Sequence, residues 1–348
     1  MKSMTYEVTI GIPVYNVEKY IRRSIESVLA QTFASIEFII IDDCGTDSSI
    51  AIVQDYQKTH PRGKDIRIVR QPHNMGIGAG RNLIVDQAQG RYVYFMDADD
   101  EILPETIALL YDKAQQHKAQ LVYASYERIE EYGEEVKRVE KKYPAMQFAA
   151  DDEFATYAYQ KYEVMAAMIW NILIDIDVYR KNCLRHKLVN YWEDFSFTMD
   201  LPTYVSRVVL LPDITYHYYC RNGSLSHFQK RDHIAKQEIE TTIQVVAEIK
   251  EVSDRLREKS YFPQRMIKVM MTDFYIVCTI LHDGSIIQPA FSKKEIREVM
   301  RSPLTLKEIL SFPPKARWIS LMLYSFWKLP PTLSVILMRL FARARKLI

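Results

Sequence analysis

Cysteine is scarce in this chain of 348 residues, and its four copies, Cys44, Cys183, Cys220 and Cys278, lie far apart without a CxxC pair. That scatter excludes a zinc ribbon and a disulfide framework, and it suits a reducing, cytosolic setting. The eight histidines form no HxxxH or HExxH pair, which excludes a zinc site of that kind. Net charge is lacking too. With 46 basic against 44 acidic residues the formal charge is +2, so no global field draws in nucleic acid. No uninterrupted apolar run reaches the roughly 18 residues of a membrane-spanning helix. The opening MKSMTYEVTIGIPV lacks the apolar stretch and cleavage site of a signal peptide. The expectation is a cytoplasmic protein, at most peripheral on the inner face of the plasma membrane. Repeats and low-complexity tracts are absent as well.

What is present is enough apolar material, 48% of residues, to fill a sizeable core. Through the first 125 residues, short β-branched runs (Val8 to Ile12, Ile36 to Ile41, Ile66 to Val69, Tyr92 to Phe95, Leu121 to Tyr123) alternate with helical patterns. Such alternation implies an α/β fold built from βαβ units around a mostly parallel sheet with helices on both faces. Asn16 is positioned to cap a helix over Val17 to Ala30, Thr46 or Asp47 the next one, and Gly90 to stop a helix beginning near Gly80. Pro104 suits the first turn of a helix reaching His117. Further on, ERIEEYGEEVKRVEKKY reads as a solvated hairpin about Tyr132-Gly133. Two more strand-like runs, Val208 to Leu211 and Ile214 to Cys220, precede a helical region punctuated by prolines. The expected division is residues 1–230, with a break in pattern between 1–125 and 126–230, followed by a helical region over 231–348.

Charge gathers where those strands end. YVYFMDADDEILP places Asp97, Asp99 and Asp100 directly after a buried strand. Three adjacent carboxylates repel each other unless donors or a divalent cation compensate them. Mg²⁺ or Mn²⁺ held there would keep positions open for diphosphate oxygens; a helix N-cap is the plainer alternative. Asp42 and Asp43 close the second strand, where one of them can accept a nucleobase N–H or simply cap a turn. In IPVYN, Pro13 stiffens the exit, Tyr15 offers a ring for stacking, and Asn16 caps or meets a ligand. NMGIGAGRN, Asn74 to Asn82, imitates a dinucleotide fingerprint, but Arg81 stands in the place of the last glycine and the motif follows the third strand. A glycine loop that turns a helix N-terminus and Arg81 toward phosphate fits better, an ordinary packed turn being the alternative.

Taken in order and spacing, IPVYN, IDDCGTD, NMGIGAGRN and FMDADDEILP resemble the nucleotide-sugar-binding half of a family 2 glycosyltransferase with the GT-A fold. The resemblance is clear over residues 7–125 and looser to about 228. It implies that Pro13, Tyr15 and Asn16 line the nucleotide pocket and that Asp43 contacts the base, with Asp42 beside it a further donor-binding candidate. It implies Arg81 near the ribose and diphosphate, Asp97 facing ribose or metal, Asp99 as leading ligand of Mn²⁺ or Mg²⁺, and Asp100 as its neighbour. Transfer to an acceptor hydroxyl also needs a carboxylate base on the opposite face. In YWEDFSF the resemblance puts that base at Asp194, with Glu193 in reserve, although a helix start with an aromatic core stripe explains the same residues. Trp170-Asn171 and Trp192 are the acceptor-side candidates, core packing being the alternative for the first. YYCRNGSLSH adds Arg221, Ser224, Ser226 and His227 as a phosphate clasp.

The last third, PPKARWISLMLYSFWKLPPTLSVILMRLFARARKLI, joins two apolar helical stretches to a basic end, a pattern suited to a bilayer surface or to packing on protein. No QxxRW element is found. The expected partners are a nucleotide-sugar donor and a glycan or lipid-linked acceptor, with peripheral membrane contact and no nucleic acid. A nucleotidyltransferase and a catalytically silent nucleotide-sugar-binding scaffold are the rival readings.

Overall fold

The computed structural model describes residues 5–132, 135–161, 168–189, 192–221 and 232–348. Ten strands form one sheet: β1 (Tyr6–Val14), β2 (Ile36–Asp42), β3 (Ile66–Arg70), β4 (Gly90–Phe95), β5 (Glu101–Ile102), β6 (Leu121–Tyr132), β7 (Glu135–Lys141), β8 (Met146–Phe148), β9 (Ile172–Asp175) and β10 (Val208–Arg221). Their order is β3-β2-β1-β4-β9-β6-β10-β5, with β7 on β6 and β8 on β10. β1 pairs in parallel with both β2 and β4. The chain therefore winds outward from β1 to β3, then returns to β1's other edge as β4. That reversal opens a crevice beyond the carboxyl ends of β1 and β4, where ligands of open α/β sheets collect. DADD leaves β4 at that point.

Helices α1 (Glu18–Leu29), α2 (Ser49–Thr59), α3 (Ile77–Gln87), α4 (Thr106–Gln116), α6 (Ile176–Lys181) and α7 (Glu193–Asp200) accompany the sheet, and α5 (Glu153–Gln160) lies for the most part in the second unit described below. The core is aliphatic at β1 and β2: Val8, Ile10, Ile12, Ile36 and Ile40 are fully buried, and Ile21, Ile25 and Val28 of α1 pack against them. Both faces of β2 are covered, which is why IEFIIID reads as a continuous apolar run and does not alternate. The antiparallel β6–β7 pair confirms the expected hairpin, with Tyr132 opposite Glu135.

Two local expectations are corrected. Asn16 does not cap α1: its backbone is left-handed (φ 50), and its Oδ1 accepts the Thr46 N–H at 2.7 Å, tying the exit of β1 to the exit of β2. The cap comes from that second loop, where Asp47 accepts the Glu18 N–H at 2.8 Å and also the Ser49 N–H at 3.0 Å. Gly90 does not stop a helix, since α3 ends at Gln87 and Gly90 opens β4. A Cβ there would lie 2.5 Å from the Thr9 nitrogen, so the glycine permits the close approach of β4 to β1.

The chain divides into two compact units, Met1–Phe154 with Glu163–Gln229, and Ala155–Tyr162 with Lys230–Ile348. The second contains α8 (Lys236–Asp254), α9 (Phe262–His282), α10 (Lys293–Val299), α11 (Leu306–Ser311), α12 (Pro314–Lys328) and α13 (Pro331–Ala344), with a two-residue pair of strands, β11 (Ile234–Ala235) and β12 (Ile287–Gln288). Its prolines start helices: Pro263, Pro314 and Pro331 each stand in a first turn, where the missing N–H has no helical partner to lose. Phe274 of α9 stacks on Phe326 of α12 and meets Phe341 of α13 edge-on, forming an aromatic centre. Arg265, fully buried, donates to the Tyr159 hydroxyl at 2.6 Å and to Ser253.

Candidate active site

The residue that organises the crevice is Arg81. It lies one turn into α3, is 3% exposed, and donates from Nη1 to Glu193 Oε1 at 3.0 Å and from Nη2 to Asp97 Oδ1 at 3.4 Å. One guanidinium thus links the end of β4 to the start of α7. The glycines of the loop make this placement feasible. Gly76, at φ 83, turns the chain into α3, and a Cβ on Gly78 would stand 2.1 Å from the Lys187 carbonyl oxygen, on the chain that leads into α7. Gly80 lies against Pro13, a Cβ there meeting the proline ring at 3.3 Å. Asp43, 4% exposed, accepts the N–H groups of Met75 and Gly76 at 2.8 and 3.0 Å and the Gln71 amide at 2.6 Å, so the carboxylate holds the turn that leads into α3. Asp42 accepts the Cys44 N–H at 2.9 Å and faces Arg70.

The three aspartates of DADD part company. Asp97 retains an exposed edge, 26% of its side chain, beside Arg81. Asp99 is half-buried, and its carbonyl oxygen accepts from Arg23 at 2.9 Å. Asp100, expected among the metal ligands, is 1% exposed, with Oδ2 accepting from the Tyr216 hydroxyl at 2.7 Å and Oδ1 from the Tyr219 N–H at 2.9 Å. Both of its oxygens are engaged by β10, so it anchors the loop, which is a correction with a plain cause. Among the described residues no group of three or more His, Cys, Asp or Glu side chains forms a cage for a metal ion.

Trp170 is likewise corrected from acceptor contact to core. It is 6% exposed, and its ring stacks on Tyr216 at 4.4 Å and on Tyr218 at 5.0 Å. Its neighbour Asn171, left-handed at φ 58, makes every bond its amide can make: Oδ1 accepts from Tyr94 and Thr215, and Nδ2 donates to the Ala124 and Ser125 carbonyls. Trp192 stands half-buried just before α7, edge-on to Phe195 and left-handed at φ 71. Asp194, also half-buried, accepts the Phe195 N–H at 2.6 Å. Tyr15, 48% exposed, presents its ring at the exit of β1 beside the partly buried Pro13. Arg221 ends β10; its side chain, with Ser224, Ser226, His227 and Tyr191, lies outside the described residues.

Burial dominates the electrostatics. It lifts the Glu193 carboxyl to about 7, with Arg81 pulling the other way and Asp194 adding to the rise. It raises Asp194 and Asp97 too, again against Arg81. Asp100 is pushed well above the carboxylate range by burial and then by Asp99 and Asp97. Several carboxylates thus share one buried guanidinium, and the crevice has an excess of acid that favours a cation or a proton.

A sequence profile described as Glycosyl transferase family 2 matches residues 9–182, half of the chain. The chain belongs to that family. Among curated relatives, glycosyltransferase GlyA of Streptococcus pneumoniae serotype 4 is 27% identical over 229 residues, which take in 63% of this chain but only 31% of GlyA. The succinoglycan biosynthesis protein ExoO of Rhizobium meliloti is 24% identical over 66% of this chain and 65% of its own length. Among solved structures, S. aureus TarS 1–349 in complex with UDP-GlcNAc superposes with a TM-score of 0.64 at 18% identity, covering 92% of this chain and 90% of that one. The fold is accordingly GT-A with added C-terminal helices.

In this family 2 glycosyltransferase, sequence reasoning missed Tyr216, which bonds both Asp100 and the Asp97 N–H, and Gln71, which holds Asp43. Tyr216 is 116 residues from Asp100, and only the β10–β5 register, Tyr216 opposite Ile102, joins them. The alternation in ITYHYYC was the available hint.

Glu193 keeps its proton to about pH 7 in the folded protein, against an ordinary value of 4.5. Between those values the folded state binds more protons than the unfolded one, and stability falls as pH rises. Glu193→Gln removes that titration. Whatever constant loss the missing carboxylate causes, the parent should lose stability relative to the variant as pH rises from about 4 to about 8, by on the order of 2 kcal/mol in urea unfolding. A difference that does not change with pH contradicts the raised carboxyl.

Proposed function

We propose that this glycosyltransferase moves a sugar from a nucleoside-diphosphate donor, UDP-linked, to a hydroxyl of a glycan or lipid-linked acceptor in cell-surface polysaccharide synthesis, with inversion at the anomeric carbon. The observation that carries this reading is the Arg81 bridge, which joins the strand-end aspartate Asp97 to Glu193 of the Glu193-Asp194 pair, Arg81 and Glu193 being 112 residues apart in sequence. Donor-side and acceptor-side chemistry then meet at one point. The TarS complex, which holds UDP-GlcNAc in a similar fold, supports a uridine nucleotide, and ExoO's name supports a polysaccharide product.

On the donor side, the exposed Tyr15 ring stacks on the base. Asp43 has three of a carboxylate's roughly four acceptor positions filled by Gln71, Met75 and Gly76, which leaves one for a base N–H. The fit to a divalent ion follows from the acid excess at the end of β4. With Asp100 committed to β10, the remaining donors are Asp99 and the exposed edge of Asp97, a set suited to Mg²⁺ or Mn²⁺ held by one or two carboxylates plus phosphate oxygens. Such an ion supplies Lewis-acid stabilisation of the departing diphosphate. On the other face, Asp194 takes the acceptor's proton as the hydroxyl attacks, its raised affinity for a proton matching that task. Glu193 positions α7 through Arg81. Attack opposite the leaving group gives inversion.

Asp194→Asn should lower transfer from UDP-sugars by about 10²–10⁴-fold and leave UDP affinity unchanged; undiminished turnover would remove Asp194 as base. Asp99→Ala should abolish the manganese-dependent part of UDP affinity measured by calorimetry. Equal affinity in variant and parent, with and without manganese, would contradict the assignment of the ion.

A further inference from the structure

Helix α13 is apolar on two opposite sides. Ser334, Val335, Met338 and Ala342 are buried in the second unit, where Phe341 meets Phe274 and Phe326. Leu333, Ile336, Leu337 and Leu340 are exposed, at 44, 50, 37 and 57%. At about 100° per residue these four fall within one arc roughly 100° wide, centred almost opposite the buried arc. A helix apolar all round belongs in an interior, so this row calls for a cover. Arg339 and Arg343, both exposed, fall beside the arc on its one flank, and Arg345 and Lys346 follow. Trp318 of α12 is 71% exposed in the same unit.

Charge decides what the cover is. Residues 309–348 carry Lys or Arg at seven positions and no acidic residue, in a chain whose total is 46 basic against 44 acidic side chains. A second copy related by a two-fold axis would set this face on itself and bring like charges together. An anionic bilayer answers both features at once. Leucine and isoleucine side chains enter the acyl boundary while the flanking guanidinium groups meet lipid phosphates. We infer that the α13 face, Leu333, Ile336, Leu337 and Leu340 with Arg339 and Arg343, docks the protein on an anionic lipid surface. The helix lies in the plane of the headgroups and does not cross, in keeping with the finding that no helix among the described residues is long and apolar enough to span. Arg339 also lines a recess with Ile280, Ile287, Phe291 and Ile296. This inference is independent of the donor's identity.

The test is co-sedimentation of the full chain with vesicles of phosphatidylcholine alone or with about 30% phosphatidylglycerol. The expected result is at least roughly tenfold tighter binding to the anionic vesicles, weakened by high salt because the attraction is screened. The variant Ile336→Glu/Leu340→Glu should lose binding to both salt-screened and unscreened vesicles. Arg339→Gln/Arg343→Gln should lose mainly the preference for anionic lipid. Because all four side chains are exposed, both variants should melt within about 2 °C of the parent. Protein that stays in the supernatant with anionic vesicles overturns the inference, as do variants that bind like the parent. A concentration-dependent dimer dispersed by Ile336→Glu/Leu340→Glu, without vesicle binding, overturns it in favour of self-association.

Discussion

A guanidinium that is 97% removed from solvent cannot stand without partners, and in this enzyme its partners are the two carboxylates that define opposite sides of the crevice. Arg81 can face Glu193 and Asp97 together only because α3 begins at a glycine turn, and because Gly78 lets the chain entering α7 approach it. Removing one member of such a buried set leaves the others uncompensated, a loss of about 3–5 kcal/mol in comparable sites. Stability and the assembly of the site thus rest on the same three side chains. The cost is an excess of acid, since Asp97, Asp100, Glu193 and Asp194 all hold protons more tightly than exposed carboxyls do.

The sheet supplies the frame for that arrangement. β4 runs alongside β1 after the chain has reversed, which places DADD at the switch point, and β10 then reaches back antiparallel to β5. Tyr216 and Tyr219 of β10 secure Asp100, fixing the loop that carries Asp97 and Asp99. Asp43 performs the corresponding task on the other side by holding the turn into α3. Of the acidic residues in the region, Asp43 and Asp100 thus hold the two loops in place, while Asp97 and Glu193 share Arg81.

The strands and the family were legible because β-branched runs and strand-end aspartates are local signals, each contained within about ten residues. The roles of individual side chains were less so. DADD reads as three equivalent acids, yet Asp100 is claimed by a tyrosine 116 positions later, a pairing set by strand register. Trp170 and Asn171 read as acceptor contacts by resemblance, but an aromatic stack and four hydrogen bonds draw them into the core. Asn16 offered a cap by position, whereas its left-handed backbone turns the amide to Thr46. Arg81 reads as a phosphate ligand from its glycine loop, and only the fold reveals that Glu193 and Asp97 hold it. Long-range register and burial decide such cases, and neither has a local signature.

The most direct measurement is a double-mutant cycle on the unfolding free energy, with Arg81→Met, Glu193→Gln and the pair combined. If the buried guanidinium and the glutamate are one unit, the two losses will not add, and a coupling of about 1–3 kcal/mol is expected. Additivity to within about 0.5 kcal/mol would contradict the bridge and the shared crevice built on it.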